Sequence, residues 1–433
     1  LAEVDCYQTG DSMATVIESD LNRYEVVKVL NPDGEVLNVA FSSGSPSTTP
    51  PAVSNDAFGR LRVSDSFTLF DSSHRYRDNG YWASSASGGS YLFNANEGCI
   101  DMTVNTTNAS EVIRETYKVF SYQPGKSMLI MNTFVFEAGK ENLRQRVGYF
   151  NDDNGLYVEL DGTELNFVRR SSVSGSVVNT VVNQSNWNVD PLDGTGPSGI
   201  TIDPAAAQIF WMDLEWLGVG NVRMGFIYNG QFVHCHTFQH ANIVTSTYIT
   251  TANLPLRYEI VNTDTTASGS TLKQICSTIL SEGGYDLRGR ANSIANDITS
   301  PIAMATAGDY YPLISLRLRS ATPDAIVIPT RISILGISNA TEYNWIIVSG
   351  GATTGGTWIA APNGSPVEYN ITPTGFSGGT IIKTGFVSGS RQGNAPIELS
   401  REDVFKYQLE RDGLGGTVTE LFLVITADSN SSE

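Results

Sequence analysis

Helical periodicity is what this 433-residue sequence most clearly lacks, since apolar residues at helical spacing never persist beyond two turns. Charged residues are also scarce, at 17%, while apolar residues make up 40% and glycine fills 41 positions. Short alternating runs separated by Gly, Ser, Thr and Asn are typical of strands and turns. The composition therefore predicts an all-β protein, and the length leaves room for about two or three domains.

Basic charge and long apolar runs are lacking as well. A formal net charge of -18 repels phosphate backbones and anionic lipid, which argues against nucleic acid as a partner. No run of about 20 apolar residues could span a bilayer, and the N-terminus has neither the basic nor the apolar part of a signal peptide. We therefore expect a soluble chain without membrane insertion, and Leu1 as first residue indicates a processed or trimmed product.

Closely spaced cysteines are missing too. Cys6, Cys99, Cys235 and Cys276 lie far apart, with no C-x-x-C pair. The spacing indicates neither a zinc knuckle nor a small disulfide framework, so we expect buried free thiols.

Two stretches divide the chain. Residues 43–54, rich in Ser, Thr and Pro, are typical of an extended linker, so residues 1–42 form an N-terminal arm. In that arm "YEVVKVL", a turn and "VLNVAF" predict a hairpin, which must dock on something because an isolated hairpin is marginal in water. Around 290–310 the strand pattern stops. We predict a β-sandwich over 55–290 and a smaller C-terminal β-sandwich over 291–433, with no repeat of about 20 to 50 residues to indicate a propeller or solenoid.

The segments "LYVEL" and "TELNFV" predict a hairpin around Asp161-Gly162. If these two residues form a type I′ turn, one face carries Leu156, Val158, Leu160, Leu165 and Phe167. The other face carries Tyr157, Glu159, Glu164 and Asn166. Such alternation is typical of an antiparallel sheet that is buried on one side only.

Asn229-Gly230 in "VRMGFIYNGQFVHCHTF" is the strongest hairpin signal in the chain, because a type I′ turn needs positive φ at both central residues. On one face it pairs Tyr228 with Gln231, Phe226 with Val233, Met224 with Cys235 and Val222 with Thr237. On the other it pairs Ile227 with Phe232, Gly225 with His234 and Arg223 with His236. The preceding strand, "QIFWMDLEW", connects through a five-residue loop that places Trp216 opposite Val222.

This register predicts one apolar core face across three strands. Its members are Phe210, Met212, Leu214, Trp216, Val222, Met224, Phe226, Val233 and Cys235. A slip of one residue would move every side chain to the other face, so the agreement of three strands supports the assignment.

The reverse face of these strands holds the residues that could carry chemistry. Its three predicted rows are Trp211 with Ile227 and Phe232, Asp213 with Gly225 and His234, and Glu215 with Arg223 and His236. His234 and His236 could ligate zinc, but Arg223 beside them would repel a metal and would complete a ladder of carboxylate, guanidinium and imidazole instead. We therefore predict no metal and no cofactor. His240 falls beyond the strand.

Three roles remain open for this candidate glycan or partner face of Trp211, Asp213, Glu215, Arg223, His234 and His236. Asp213 and Glu215 form a carboxylate pair of the kind that glycosidases use, similar to the Glu-x-Asp-x-(x)-Glu motif of sandwich-fold glucan hydrolases. However, Trp211 stands where that motif has its first carboxylate, so the nucleophile is lost. Trp211 could instead be the stacking platform of a glycan-binding groove. Alternatively, the face packs on a neighbouring chain or loop.

Periodicity does not explain "NDAFGRLRVSDSFTLFDSSHRYRDNGYW", residues 55–82. Together with "NLRQRVGYFNDDNGLYVELDG", "QSNWNVDPLDGTGPSGIT", "WLGVGNVRMGFIYNGQFVHCHTFQHAN" and "NLPLRYEI", it resembles virion structural proteins of tailed phages of marine bacteria, cyanophages especially. The resemblance covers about Asn55 to Gly284 with the motifs in the expected order. It implies a concanavalin-type jelly roll. It also implies a particle component, on the capsid surface or in a fibre or tail appendage, with no catalytic residues to carry over.

We therefore expect a non-enzymatic virion protein on the outer surface of the particle. Its arm would bind other virion proteins, and its sandwich edges favour a homo-oligomer, with a trimer as the first expectation. The alternative is a fibre that recognises a host surface glycan, or a polysaccharide depolymerase that uses Asp213 and Glu215.

Overall fold

The computed structural model describes six stretches of side chains and backbone: 55–286, 289–335, 342–388, 408–411, 413–415 and 418–427. It also gives the backbone of four strand segments: 14–17, 26–30, 36–37 and 397–398. The linker predicted over 43–54 and Cys6 lie outside these residues. The chain divides into two compact units, Leu1–Ala52 and Val53–Glu433.

The first unit contains three described strands: β1 (Ala14–Ile17), β2 (Val26–Leu30) and β3 (Val36–Leu37). They form one antiparallel sheet in the order β1-β2-β3. Leu30 opposes Val36, so β2 and β3 pair as the predicted hairpin requires. The strand β1, for which we had no prediction, completes the sheet.

The second unit begins with two antiparallel sheets packed face to face. The eight-stranded sheet contains β4 (Ser66–Ser73), β6 (Gly89–Asn94), β7 (Cys99–Val104), β10 (Met128–Val135), β15 (Ala207–Leu214), β16 (Val222–Tyr228), β17 (Gln231–Phe238) and β20 (Ser270–Glu282). The seven-stranded sheet contains β5 (Trp82–Ser87), β8 (Glu111–Thr116), β11 (Leu143–Phe150), β12 (Gly155–Asp161), β13 (Glu164–Ser171), β14 (Val178–Asn183) and β19 (Leu256–Asn262). The predicted concanavalin-like jelly-roll sandwich is confirmed.

Strand order shows how the chain crosses between the sheets. The eight-stranded sheet runs β17-β16-β15-β10-β20-β7-β6, with β4 also paired to β20, and the seven-stranded sheet runs β14-β13-β12-β11-β19-β8-β5. Two short strands, β9 (Phe120–Ser121) and β18 (Asn253–Leu254), pair at one end. A single 3-10 turn, Gln184–Asn186, is the helical structure of the described residues. No helix there is long and apolar enough to cross a membrane.

Aromatic and aliphatic side chains of both sheets form one core. Phe167 of β13 stacks on Trp187 at 4.0 Å and lies 5.7 Å from Phe210 of β15. The core face predicted from the three strands around Asn229-Gly230 is confirmed, because all nine of its members contact this core. Cys99 and Cys235 are buried free thiols as expected, while Cys276 is half-buried.

The cross-strand register differs from the prediction in two places. Residues 225–228 pair with 231–234 as expected, but a β-bulge follows, so Met224 opposes His236 instead of Cys235. On the other side Leu214, not Trp216, opposes Val222, which makes the connecting loop seven residues long rather than five. The second error is a shift of two residues. Because an even shift keeps every side chain on the same side of the sheet, the predicted faces remain correct.

The hairpin near Asp161 also turns later than predicted. Asp161 opposes Glu164, so Gly162 and Thr163 form the turn, and Gly162 alone has a positive φ, as in a type II′ turn. The five apolar residues still share the core face.

The outer face of this hairpin is buried, which the prediction of a one-sided sheet did not anticipate. Tyr157 lies between the guanidinium groups of Arg146 and Arg170, each 5.3 Å from its ring. Arg146 also pairs with Glu159 at 2.7 Å and with Glu259 at 3.0 Å. Long charged side chains therefore cover this face with their own stems.

A smaller β structure follows the jelly roll. Its six-stranded antiparallel sheet contains β21 (Tyr311–Leu318), β23 (Glu342–Ser349), β25 (Ile359–Ala360), β26 (Val367–Asn370), β28 (Thr380–Ser388) and β30 (Leu421–Ala427). Two short pairs accompany it: β22 (Arg331–Ile332) with β29 (Ile397–Glu398), and β24 (Ala352–Thr354) with β27 (Gly375–Ser377). Apolar side chains pack on both faces of this sheet, separately from the jelly-roll core.

Candidate functional site

The six residues of the predicted face come from three neighbouring strands of the eight-stranded sheet. Trp211 and Asp213 lie in β15, Arg223 in β16 and His234 in β17, and all point to the outer face of that sheet. Glu215 follows the last residue of β15, and His236 has changed face. The structure therefore brings four of the six together on the face and places the other two elsewhere.

Trp211 is fully buried, so it cannot serve as an exposed stacking platform. Its indole lies over Gly225, where an added Cβ would sit 3.0 Å from the ring, and its Nε1 donates to Phe226 O at 3.2 Å. Phe232 and His234 flank the ring at 5.7 and 6.0 Å. Its row is thus Trp211, Gly225 and His234, rather than the predicted Trp211, Ile227 and Phe232.

Asp213 is fully buried and surrounded by donors. Arg62 Nη2 lies 2.7 Å from its Oδ1, and Arg223 Nε donates to its Oδ2 at 3.1 Å. Ser127 Oγ donates to the same carboxylate. Because β15 is shifted by two residues, Asp213 takes the position opposite Arg223 that was predicted for Glu215.

Glu215 is also fully buried, but it lies beyond the sheet ladder. It forms an ion pair with Arg60, and Tyr122 Oη donates to its Oε2 at 3.2 Å. Burial raises the pKa of Glu215 even against the attraction of Arg60. Burial likewise raises the pKa of Tyr122 to about 12, so this hydroxyl stays a donor at neutral pH.

Two of the arginines that reach these carboxylates, Arg60 and Arg62, lie in one segment, Asn55–Ser64, here called the strap. Asp56 shapes it by accepting the backbone N–H groups of Phe58 at 2.9 Å and Arg60 at 2.8 Å. Burial opposes ionisation of Asp56, but hydrogen bonds from Arg60 and Phe58 outweigh it and keep the pKa below its usual range. Asn55 O accepts from Arg223, which ties the start of the strap to β16.

The strap borders a surface cleft of about 300 Å³. Asp56, Arg60, Leu61 and Val63 line one side, and Lys126 and Glu282 line the other. Glu282 Oε1 lies 3.5 Å from Arg62 Nε, and burial raises the pKa of this carboxyl. Glu282 and Asp56 are therefore the two carboxyl groups in the lining of the cleft.

The two histidines of the predicted ladder lie on opposite faces because of the bulge. His234 stays on the outer face, where its Nε2 is 2.9 Å from Thr237 Oγ1. His236 turns into the core, 4.6 Å from the ring of Phe238, and its Nδ1 accepts from Asn188 N at 3.3 Å. The pKa of each is lowered to about 4, mainly by burial. The predicted ladder of Glu215, Arg223 and His236 is wrong.

No metal centre is visible in the described part of the chain, where no group of three or more His, Cys, Asp or Glu side chains could hold an ion. His240, outside β17 as predicted, is buried and stacks on Tyr248 at 3.9 Å. Its Nδ1 donates to Gly220 O at 2.6 Å, so it holds loop 215–221 rather than joining the other histidines.

Seven residues of this site had not been predicted: Asp56, Arg60, Arg62, Tyr122, Lys126, Ser127 and Glu282. Two arginines spaced by one residue in a stretch that periodicity left unexplained were the available signal for Arg60 and Arg62. Tyr122 and Ser127 had none, because they meet Glu215 and Asp213 from more than 80 positions away.

No protein-family model and no curated protein matches this chain. Solved β-sandwich structures align with about half of it. The Bacteroides ovatus mixed-linkage glucan GH16 protein, solved with its product, is 12% identical over 49% of this chain and 99% of its own, with a TM-score of 0.33. The CBM2 module of the evolved Dit of Lactobacillus casei BL23 phage J-1 is 7% identical over 51% and 99%, with a TM-score of 0.34.

Arcelin-5, a lectin-like defence protein from Phaseolus vulgaris, is 9% identical over 51% of this chain and 99% of its own, with a TM-score of 0.31. Similarity this distant indicates nothing about function. The fold assignment rests on the order and pairing of the strands themselves.

Proposed function

We propose that the protein is a non-enzymatic structural component of a tailed-phage virion, exposed on the outer surface of the particle. The resemblance of residues 55–284 to virion proteins of marine phages supports this role. Residues 55–82, the part of the resembling region that strand periodicity does not explain, contain the strap. A segment typical of the group thus has a structural task in this chain, closing one face of the jelly roll.

The observation that carries the proposal is the state of the two carboxylates. A glycosidase needs one carboxyl group that exchanges a proton with the substrate and a second that reaches the sugar or a water molecule. Asp213 and Glu215 are fully buried, and each is neutralised by arginine. They anchor the strap, which is a structural role.

Binding partners follow from the same proposal. The N-terminal arm would attach the protein to other virion proteins, and copies of the chain would associate, with a trimer as one candidate. Host surface glycan is the partner of the alternative function, in which the protein is a receptor-recognition fibre or a depolymerase. The cleft beside the strap is where such a glycan would meet Arg60, Lys126 and Glu282.

Incubation of the purified protein with host surface polysaccharide tests the non-enzymatic role. Product release is followed alongside binding for the wild type and for Asp213→Asn, Glu215→Gln and Glu282→Gln. We expect no turnover. Turnover that any of these substitutions abolishes, with the fold intact by circular dichroism, would defeat the structural proposal in favour of a depolymerase. Saturable binding without turnover would favour the glycan-recognition fibre.

Labelling of intact particles tests the location. A C-terminal tag on the chain in virions should bind gold-conjugated antibody on the outside, as seen by electron microscopy. A tag that becomes accessible only after particles are disrupted contradicts surface exposure. Phage DNA release from the same particles reports whether they were intact.

A further inference from the structure

The edge of the seven-stranded sheet is unusual in a chain with a net charge of -18. Its last strand, β14, lies within a stretch from Ser171 to Val189 that contains no charged residue. Val177, Val178 and Val181 are 48%, 53% and 52% exposed there. β-branched residues on an open edge strand favour pairing with another strand.

The hairpin before β14 decides which backbone groups are free. Gly162 and Thr163 form a two-residue turn, so Asp161 and Glu164 are a hydrogen-bonded pair and even-numbered residues of β13 bond to β12. Odd-numbered residues of β13 therefore bond to β14, where they oppose Val178, Thr180 and Val182. The N–H and C=O groups of Asn179 and Val181 point away from the sheet, toward the open edge.

Three other described sheet edges have features that oppose pairing. β17 is covered in its middle, where Val189 and Asp190 donate to Cys235 O at 3.0 Å. β6 follows β5 through Gly88 and turns from one sheet into the other. β28 carries Lys383 and a register shift beside it. Charges, corners and irregularities are ordinary protections of an edge, and β14 shows none of them.

We propose that β14 pairs antiparallel with β14 of a second copy of this chain, about a two-fold axis at Asn179. A two-fold contact places one surface against itself, so a surface on which one sign of charge predominates would meet the same charge on the other copy. In a chain this acidic, an edge strand without acidic residues is one on which two copies meet without repulsion between carboxylates, and the nearest charges, Arg169 and Arg170 of β13, are bonded to Thr180 and Asn179. The contact does not depend on the virion role.

Side-chain matching selects the register. With the axis at Asn179, Val177 of one copy opposes Val181 of the other, and this happens twice. Val178 then opposes Thr180. An axis at Thr180 would instead set Asn179 against Val181. The first register buries the exposed valines of the outer face against each other, which is the more favourable arrangement of cross-strand pairs.

Two double variants test the pairing and its register. Val177→Glu/Val181→Glu places like charges opposite each other at both ends, whereas Val177→Lys/Val181→Glu places opposite charges there. By light scattering on a sizing column, the wild type and the Lys/Glu variant should have twice the 46.8 kDa chain mass. The Glu/Glu variant should have a dissociation constant at least about tenfold higher than the wild type and should elute as a monomer.

Two controls separate this contact from others. Val63→Glu/Ile298→Glu adds the same charge at exposed positions outside β14 and should leave the dimer intact. Leu92→Glu changes the exposed edge of β6 and should also leave it intact. Three results would each overturn the proposal: a monomeric wild type at micromolar concentration, a Glu/Glu variant that stays dimeric, or an assembly that Leu92→Glu disrupts equally. The last result would favour head-to-tail pairing.

Discussion

Asp213 shows how one buried carboxylate holds together parts of the chain that are distant in sequence. It receives Arg62 from the strap, Arg223 from β16 and Ser127 from the loop before β10. Taking a charge out of water is costly unless such partners replace the water, and this site provides three. The same carboxylate therefore couples the strap to the sheet.

Asp213→Asn should destabilise the protein by about 3 to 5 kcal/mol, because it leaves two arginines without their shared counter-charge. Urea unfolding followed by tryptophan fluorescence measures the change. Asp161→Asn, an exposed carboxylate at the end of β12, is the matched control and should stay within about 0.5 kcal/mol of the wild type. Equal effects of the two substitutions would show that Asp213 does not anchor the strap.

The four histidines predict how stability depends on pH. Burial is the main reason that the pKa of each histidine is lowered from an ordinary 6.5 to about 4. The four residues are His74, His234, His236 and His240. Folding therefore favours the neutral imidazoles. Their contribution is fully present above about pH 6.5 and is lost as the pH falls toward 4, by up to about 1.4 kcal/mol per pH unit for each histidine.

Melting temperatures measured across this window check the prediction. His240→Gln should lower the melting temperature at neutral pH, because it removes the ring that stacks on Tyr248, yet it should flatten the acid slope. Gln231→His adds a histidine at an exposed turn and should leave the slope unchanged. An acid slope that is the same in all three proteins would mean that the carboxylates, not the histidines, control it.

Strand β16 depends on a glycine because two other groups occupy the space beside it. A Cβ on Gly225 would lie 2.0 Å from Val233 O and 3.0 Å from the Trp211 ring. Gly225→Ala should therefore cost about 2 to 4 kcal/mol of stability. Gly230→Ala is the control: φ is +75° but nothing lies within 4 Å, so strain alone should cost about 1 kcal/mol. If both cost the same, close packing at Gly225 is not what requires the glycine.

The faces of the strands could be predicted from sequence, while their register could not. Alternation of apolar residues assigns each side chain to a face, and an error of two residues, as between Leu214 and Val222, leaves that assignment intact. The bulge at Cys235 changed the outcome for His236 alone among the site residues, because one extra residue reverses the alternation that follows it. Nothing in the pattern of "HCHTF" distinguishes a regular strand from a bulged one.

The strap illustrates what sequence patterns leave out. Its contacts include ion pairs to Asp213, Glu215 and Glu282, each more than 150 positions away. Such contacts have no period and no fixed spacing. The sequence therefore identified Asp213 and Glu215 as candidate site residues but did not indicate that arginines form ion pairs with them.

The jelly roll and the C-terminal β structure have separate cores within the second unit. The described polar contacts that join them include an ion pair between Lys118 and Glu410 at 3.4 Å, a bond from Gln408 Nε2 to Val119 O at 3.0 Å and one from Asn253 Nδ2 to Asp324 O at 3.2 Å. A chain whose cores are separate can fold in parts. The domain boundary near residue 290 is thus open to a direct test.

A fragment of residues 53–290 should fold on its own. We expect one cooperative calorimetric transition, within about 10 °C of the jelly-roll transition of the full chain, since only a few contacts are lost. The same fragment with Phe167→Ala, a core residue that stacks on Trp187, should melt much lower. Binding of a hydrophobic dye without a cooperative transition would instead show that the C-terminal part is required.

The strap also determines how the protein would carry mechanical load. A pull applied at Asn55 acts on the strap before it acts on β4, which begins at Ser66. The first resistance therefore comes from the charged contacts of Arg60, Arg62 and Arg223, not from a ladder of backbone hydrogen bonds. Such an attachment is released one contact after another. Salt or acid weakens its ion pairs and so lowers the force needed to detach it, while the sheets behind it remain folded.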